Sequence, residues 1–333
     1  MRSLLSLNVT VYRLSVISAA SILLLSKHVF ADELNDDIKS ILQNRFAAAV
    51  FLSDTDAIEF GIASFDPNQV LNTDNEDLGN QQALNERRSK SVYVLPYLRE
   101  FRRDESPHRH QLLAKGFLID TENRFSLDEE NLPKDRLDEL TVGAAIGYGY
   151  QYNVNEVFSV TPSLIGHVIY YQNDYTANSD ISRLVEIFLD GRVFNVSAWS
   201  AIAEPAIDFD YHHPRPWGKW HFNSKWSYFY GTTWGSANNG DIGNPQGWYV
   251  TNQVTVYWDL FDKTQSLFTG FKRVDLSPEL QSELGTDHYY ESSIGWLFQD
   301  PVRWEWLDNV GVGLTFNYGS SINGGSLMFY YNK

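Results

Sequence analysis

The chain has 333 residues, a formal net charge of −16, no cysteine, and 10 Trp, 19 Tyr and 20 Phe. That aromatic content excludes wholesale disorder. The acidic balance argues against nucleic acid as a partner, and the lack of Cys excludes disulfides, thiolate metal sites and thiol catalysis. No apolar run reaches the ~18–20 residues of a membrane-spanning helix, so any crossing of a bilayer must be made by strands.

The first 31 residues read as a targeting segment. Arg2 and Arg13 precede an apolar run over 14–25, and Val29, Phe30 and Ala31 follow with small residues at the expected −3 and −1 positions. This is the order of a cleaved secretory signal, with a mature chain starting at Asp32. Next, Leu34, Ile38, Ile41, Leu42 and Ala49 recur at helical spacing, with Asp36, Asp37, Gln43 and Asn44 between them. The spacing predicts one amphipathic helix over 34–49 within a segment 32–50.

After residue 90 the period changes to two, as strands require. Val142, Ala144, Ile146, Tyr148 and Tyr150 alternate with Gly143, Ala145, Gly147 and Gly149. Trp226, Tyr228 and Tyr230 alternate with Lys225 and Ser227, and Val310, Val312, Leu314 and Phe316 with Gly311, Gly313, Thr315 and Asn317. Soluble sandwich strands run ~5–6 residues, whereas lipid-facing strands need ~9–11 with aromatics at the interfaces. These runs are of the second kind. The expected strands are 57–65, 91–103, 109–120, 139–152, 156–172, 181–211, 217–234, 247–261, 264–275, 287–299, 309–319 and 323–331. Within 181–211, Asp190-Gly191 is a possible hairpin turn, but the outward residues keep odd parity throughout, which favours one long strand. Long and short connections alternate along most of the series, matching long outer loops and short periplasmic turns.

The fold class expected is therefore all-β: a 12-stranded antiparallel transmembrane β-barrel over 51–333 with an N-terminal α-helix in its lumen. The residues expected to line that lumen are Gly143, Gly147, Gly149, Arg102, Arg103, Lys225, Gly311 and Gly313. Asp36, Asp37, Gln43 and Asn44 belong to the helix acting as a plug. Bare glycine rows leave width for a helix ~10 Å across, and a glycine that weakens a strand asks for a packing reason. Arg87, Arg88, Lys90, Arg99, Arg102, Arg103, Arg109 and Lys115 form a basic run that reads either as a headgroup-level patch or as a lumen wall facing the acidic helix start.

Together these elements resemble the translocator unit of autotransporters, a helix followed by a 12-stranded barrel. More narrowly, the chain is similar to the solitary outer-membrane autotransporter-type β-barrels of Gram-negative bacteria, which carry no passenger. The resemblance rests on architecture and on segments such as 34–65 and 140–152. It implies a bacterial outer-membrane location, contact with outer-membrane lipid and lipopolysaccharide, and insertion by the barrel-assembly machinery. Leu327, Phe329 and Tyr331 supply the expected alternating end, although Asn332 and Lys333 follow where such barrels usually stop on an aromatic.

Chemistry is sparse. His212 and His213 are adjacent, so on a strand they face opposite ways and do not share a metal. Acidic groups such as Asp128, Glu129 and Glu130 read as solvated loops. Asp287-His288 at an outer-loop end is the one pair that an omptin-like or phospholipase-like hydrolase with a rim site would use. No catalytic residue, metal or cofactor is expected, and a plugged pore or a structural and surface-interaction barrel is the leading functional expectation.

Overall fold

The computed structural model describes residues 29–58, 63–65, 67–68, 85, 89–102, 106–125, 134–261, 263–299, 309–321 and 323–331. Helix α1 (Val29–Leu52) leads into the strands β1 (Ala63–Phe65), β2 (Lys90–Arg102), β3 (Arg109–Phe125), β4 (Asp135–Asn153) and β5 (Phe158–Thr176). A short helix α2 (Asp180–Leu189) precedes β6 (Ser197–Arg215), β7 (Gly218–Gly235), β8 (Gln246–Leu260) and β9 (Gln265–Leu276). Helix α3 (Pro278–Leu284), β10 (His288–Gln299), β11 (Asn309–Tyr318) and β12 (Gly324–Tyr331) complete the chain.

All twelve strands belong to one sheet in the order β1-β12-β11-β10-β9-β8-β7-β6-β5-β4-β3-β2. Ten of the ladders join neighbours in sequence and are antiparallel, and β1 pairs with β12. β1 is only three residues long, so eleven long strands make the wall. Sequential hairpins put each strand beside the next, the connection of lowest loop-closure entropy.

The period-two reading holds along the wall. On β4, Val142, Ile146 and Tyr148 are exposed, while Ala145 and Leu137 are buried on the other face. On β7, Trp226, Tyr228 and Tyr230 are exposed and Phe229 is fully buried. Here the usual soluble pattern is inverted: the large apolar side chains point away from the protein, and the interior carries Lys272, Glu291, Glu204, His167 and Asn317. Such a surface is stable only against a non-aqueous surrounding.

The wall curls around α1. From Phe46 to Leu52 the helix reads FAAAVFL, and every one of these residues is buried. A helix that is apolar on all sides must be enclosed on all sides. Phe46 meets Tyr171 of β5, and Phe51 meets both Tyr249 of β8 and Tyr289 of β10, edge to face. Each fully buried Phe contributes ~1.5–3 kcal/mol by leaving water.

Three expectations change. The helix is longer than 34–49. The segment 57–65 is not one strand: a turn follows the helix through Ala57, and β1 begins at Ala63. The single strand over 181–211 is also wrong, because 180–189 is helix and β6 starts at Ser197. Odd parity at Val185, Ile187 and Leu189 misled because Val185 and Leu189 are also i and i+4. With Ser182 they form the one buried stripe of α2. Ser179 caps this helix by accepting the Ser182 N–H at 3.0 Å, and Ser182 in turn donates to Asp135 at 2.6 Å.

Candidate functional site: the seat of the internal helix

Helix α1 gives way after Leu52 to Ser53 and Asp54, both buried inside the wall. Ser53 Oγ donates back to Val50 O at 2.9 Å, and the Asp56 N–H bonds Asp54 Oδ1 at 2.9 Å in a tight side-chain turn. A helix C-terminus leaves carbonyls without intrahelical partners and carries partial negative charge. The wall answers with cations and hydroxyls. Lys115 Nζ of β3 donates to Ser53 O at 3.2 Å, Lys272 Nζ of β9 to Asp56 O at 3.0 Å, and Tyr289 OH of β10 to Ala57 O at 2.7 Å.

Asp54 is the centre of this seat. Its Oδ2 accepts Lys225 Nζ of β7 at 2.8 Å and the Tyr249 hydroxyl of β8. Burial pushes the Asp54 carboxyl up, but the ammonium groups of Lys225 and Lys115 outweigh it and hold the group well below its ordinary range. Tyr249 OH also meets Glu204 Oε1 of β6 at 2.6 Å, and Glu204 Oε2 meets His167 Nε2 of β5 at 2.7 Å. His167 and Glu204 are both fully enclosed.

Sheet register explains why these groups converge. Lys272 and Glu291 are direct cross-strand partners, as are Glu291 and Asn317. They form a buried row in which Lys272 Nζ lies 2.8 Å from Glu291 and Asn317 donates to it at 3.2 Å. A buried charge costs several kcal/mol unless paired and hydrogen-bonded, and each of these is.

The upper part of the helix is held differently. Arg45 Nε meets Glu139 of β4 at 2.9 Å, and Tyr171 OH donates to the same carboxylate at 2.7 Å. Near the long connections, Lys39 Nζ reaches Asp241 at 2.8 Å and Asn35 donates to it at 2.9 Å. These two bonds lower the Asp241 carboxyl, the Lys39 contact first.

The expected site residues fall in four groups. Lys225 lies inside and bonds the helix end. Gly143, Gly147, Gly149, Gly311 and Gly313 also face inward, but the space beside them is taken by the wall rather than by α1. A Cβ on Gly143 would sit 2.1 Å from the Phe117 ring, and one on Gly311 would sit 2.2 Å from Trp296 O. The Arg102 side chain and all of Arg103 lie outside the described residues. On the helix, Asp36 and Asp37 are exposed, Gln43 packs against Gly243, and Asn44 donates to Ser282 at 3.2 Å. The decisive groups Asp54, His167, Glu204, Tyr249, Lys272 and Tyr289 were missed. Strand parity places all but Asp54 inward, but tyrosines on long strands read first as interface aromatics.

Asp287 and His288 are bonded at 2.7 Å and are solvent-exposed, and among the described residues no hydroxyl bonds the His288 ring. Among the described residues no cluster of three His, Cys, Asp or Glu is placed to hold a metal.

The family model described as the solitary outer membrane autotransporter β-barrel domain matches residues 43–333. The chain belongs to that family. A solitary autotransporter β-barrel is an outer-membrane structure without a passenger, which accounts for the outward apolar belt. Among solved structures it is similar to the translocator domain of autotransporter NalP from Neisseria meningitidis, at 8% identity and a TM-score of 0.37, covering 71% of this chain and 82% of that one. No curated protein matches the chain in sequence.

Proposed function

We propose that this solitary barrel is a non-enzymatic, plugged pore: α1 fills the lumen, and the Asp54 seat holds it there. The observation that carries the reading is the burial of 46–54, Ala57 and Ile58 together with direct bonds from β3, β7, β8, β9 and β10 to the turn that follows the helix. A substrate pathway would leave the lumen polar and wet, whereas here apolar side chains of the helix and wall fill it. The chain reaches the membrane by a cleaved signal over 1–31, is inserted by the barrel-assembly machinery, and then stands in outer-membrane lipid and lipopolysaccharide.

The test is planar-bilayer conductance of the refolded mature chain beside a variant lacking residues 32–49. The deletion should leave a heat-modifiable barrel with larger single-channel conductance. No change in conductance or stability would mean that the helix does not close the pore. As the deletion also removes core, Asp54→Asn with Lys225→Met provides a full-length variant whose conductance should flicker more often.

A further inference from the structure

We propose that the turn 236–243, in the long connection between β7 and β8, is a strained latch that the seated helix α1 holds closed. The strain is in the backbone. Asn238 and Asn239 sit in the left-handed region, at φ 48° and 57°. Among the described residues they are the one adjacent pair of non-glycine residues there. Single asparagines visit this region in turns, whereas two in a row carry a cost that the surroundings must offset.

Much of that offset comes from the helix. Ala237 and Ile242, the two shoulders of the turn, are buried in the same core as Ile38, Leu42 and Phe46 of α1. Fixing both shoulders constrains 238–241 between them. Asn238 is itself buried, and its amide donates to Asn35 Oδ1 of α1 at 2.8 Å and to Asp241 O at 2.7 Å. Its backbone N–H donates to Gly191 O at 3.0 Å, which ties the turn to the β5–β6 connection. Asp241 accepts both Lys39 and Asn35. Gly243 closes the turn at φ 81°, with its carbonyl accepting the Thr233 hydroxyl of β7. A Cβ on Gly243 would collide with the Gln43 side chain.

Helix and turn are therefore coupled. While α1 is seated, its Asn35, Lys39 and Gln43 hold the left-handed pair in place. When the helix top withdraws, Asn238 loses its partner, Ala237 and Ile242 lose their cover, and the turn relaxes. Coupling of this kind is reciprocal, so whatever favours the relaxed turn favours release of the helix top. The Asp54 seat holds the other end of α1, so the latch governs 34–44 and leaves 46–54 in place. A latch in this sense rests on α1 being the plug proposed above, and adds control of its upper end.

The test is hydrogen exchange of the refolded, full mature barrel in micelles, read by mass spectrometry over 34–44. Asn239 is exposed, so substitutions there act through the backbone. Asn239→Val, a β-branched residue that avoids positive φ, should speed exchange over 34–44 by about fivefold or more. Asn239→Gly, which adopts this φ freely, should not speed it. Asn238→Ala loses the bond to Asn35 and fits the left-handed region less well, so it too should speed exchange. Lys263→Val makes the same kind of change at another left-handed position, in the β8–β9 turn at φ 67°, and should leave 34–44 unchanged.

Heat-modifiable mobility on gels shows which variants fold, and Asn238→Ala carries the test if Asn239→Val does not. A folded Asn239→Val or Asn238→Ala that exchanges like wild type overturns the proposal. So does Asn239→Gly exchanging as fast as Asn239→Val, because backbone strain would then not be the cause. Faster exchange over 34–44 after Lys263→Val also overturns it, since the effect would be general destabilisation. Single-channel recordings of the same variants keep the latch and the plug apart. Faster exchange with an unchanged current retains the latch and removes the plug, whereas unchanged exchange removes the latch at any current.

Discussion

Lys225 Nζ lies 2.8 Å from Asp54 Oδ2, joining the middle of β7 to the end of a helix 171 positions earlier in the chain. Both side chains are nearly buried, at 12% and 7% exposure. The pair therefore differs from a surface ion pair, whose net worth is ~0–1 kcal/mol. Removing one partner leaves the other charged, enclosed and uncompensated. Lys225→Met is expected to cost ~3–5 kcal/mol, whereas Asp54→Asn with Lys225→Met together should cost less than the two changes summed. Urea titration of the refolded barrel in micelles, followed by Trp fluorescence, measures both.

The seat should respond to acid. Asp54 titrates below its unfolded value of 3.8 because Lys225 and Lys115 outweigh the effect of burial. A carboxylate depressed on folding stabilises fully above the unfolded pKa, and that contribution is withdrawn as pH falls through the folded one. Protease protection of α1 should thus be flat above about pH 4 and decline below it. Asp54→Asn should abolish this decline while lowering protection at neutral pH; an unchanged acid profile in that variant would place the sensitivity elsewhere.

The two faces of the wall should differ in tolerance. Ile146 is 64% exposed on the belt, and Ile146→Arg near mid-membrane is expected to cost ~2–4 kcal/mol. Asn223 faces inward and donates to Asp208, with Asp210 two residues further along the same face of β6. Asn223→Arg should cost less, since the new cation gains two carboxylates. Folding yield into phosphatidylcholine vesicles compares them directly.

Glycines offer a sharper contrast. At Gly311 an added Cβ would meet Trp296 O at 2.2 Å, and backbone does not move aside cheaply. Gly311→Ala should destabilise by ~1–3 kcal/mol. At Gly116, on the outward face, a Cβ meets nothing within 4 Å. Gly116→Ala should be neutral or stabilise by ~0.4–1 kcal/mol through the unfolded state. Thermal gel-shift midpoints distinguish the two.

The sequence alone determines the wall. Side-chain parity is a local property: once Val142, Ile146 and Tyr148 share a face, the opposite face is settled, and hairpins of matched length fix which strand comes next. The same locality made 181–211 hard to read, since Val185 and Leu189 satisfy both a period of two and a period of 3.6; only packing of Ser182, Val185 and Leu189 over the inner rim chooses the helix. Asp54 was invisible for another reason. The five wall groups that meet the turn 53–57 (Lys115, Lys225, Tyr249, Lys272 and Tyr289) come from separate strands, and their meeting depends on the curl of the sheet and the depth at which α1 stops. Curl and depth come from summed twist, register and the burial of FAAAVFL, none of which is written in any one segment. The sequence therefore specifies which residues face inward, and the tertiary structure decides which of those reach one another.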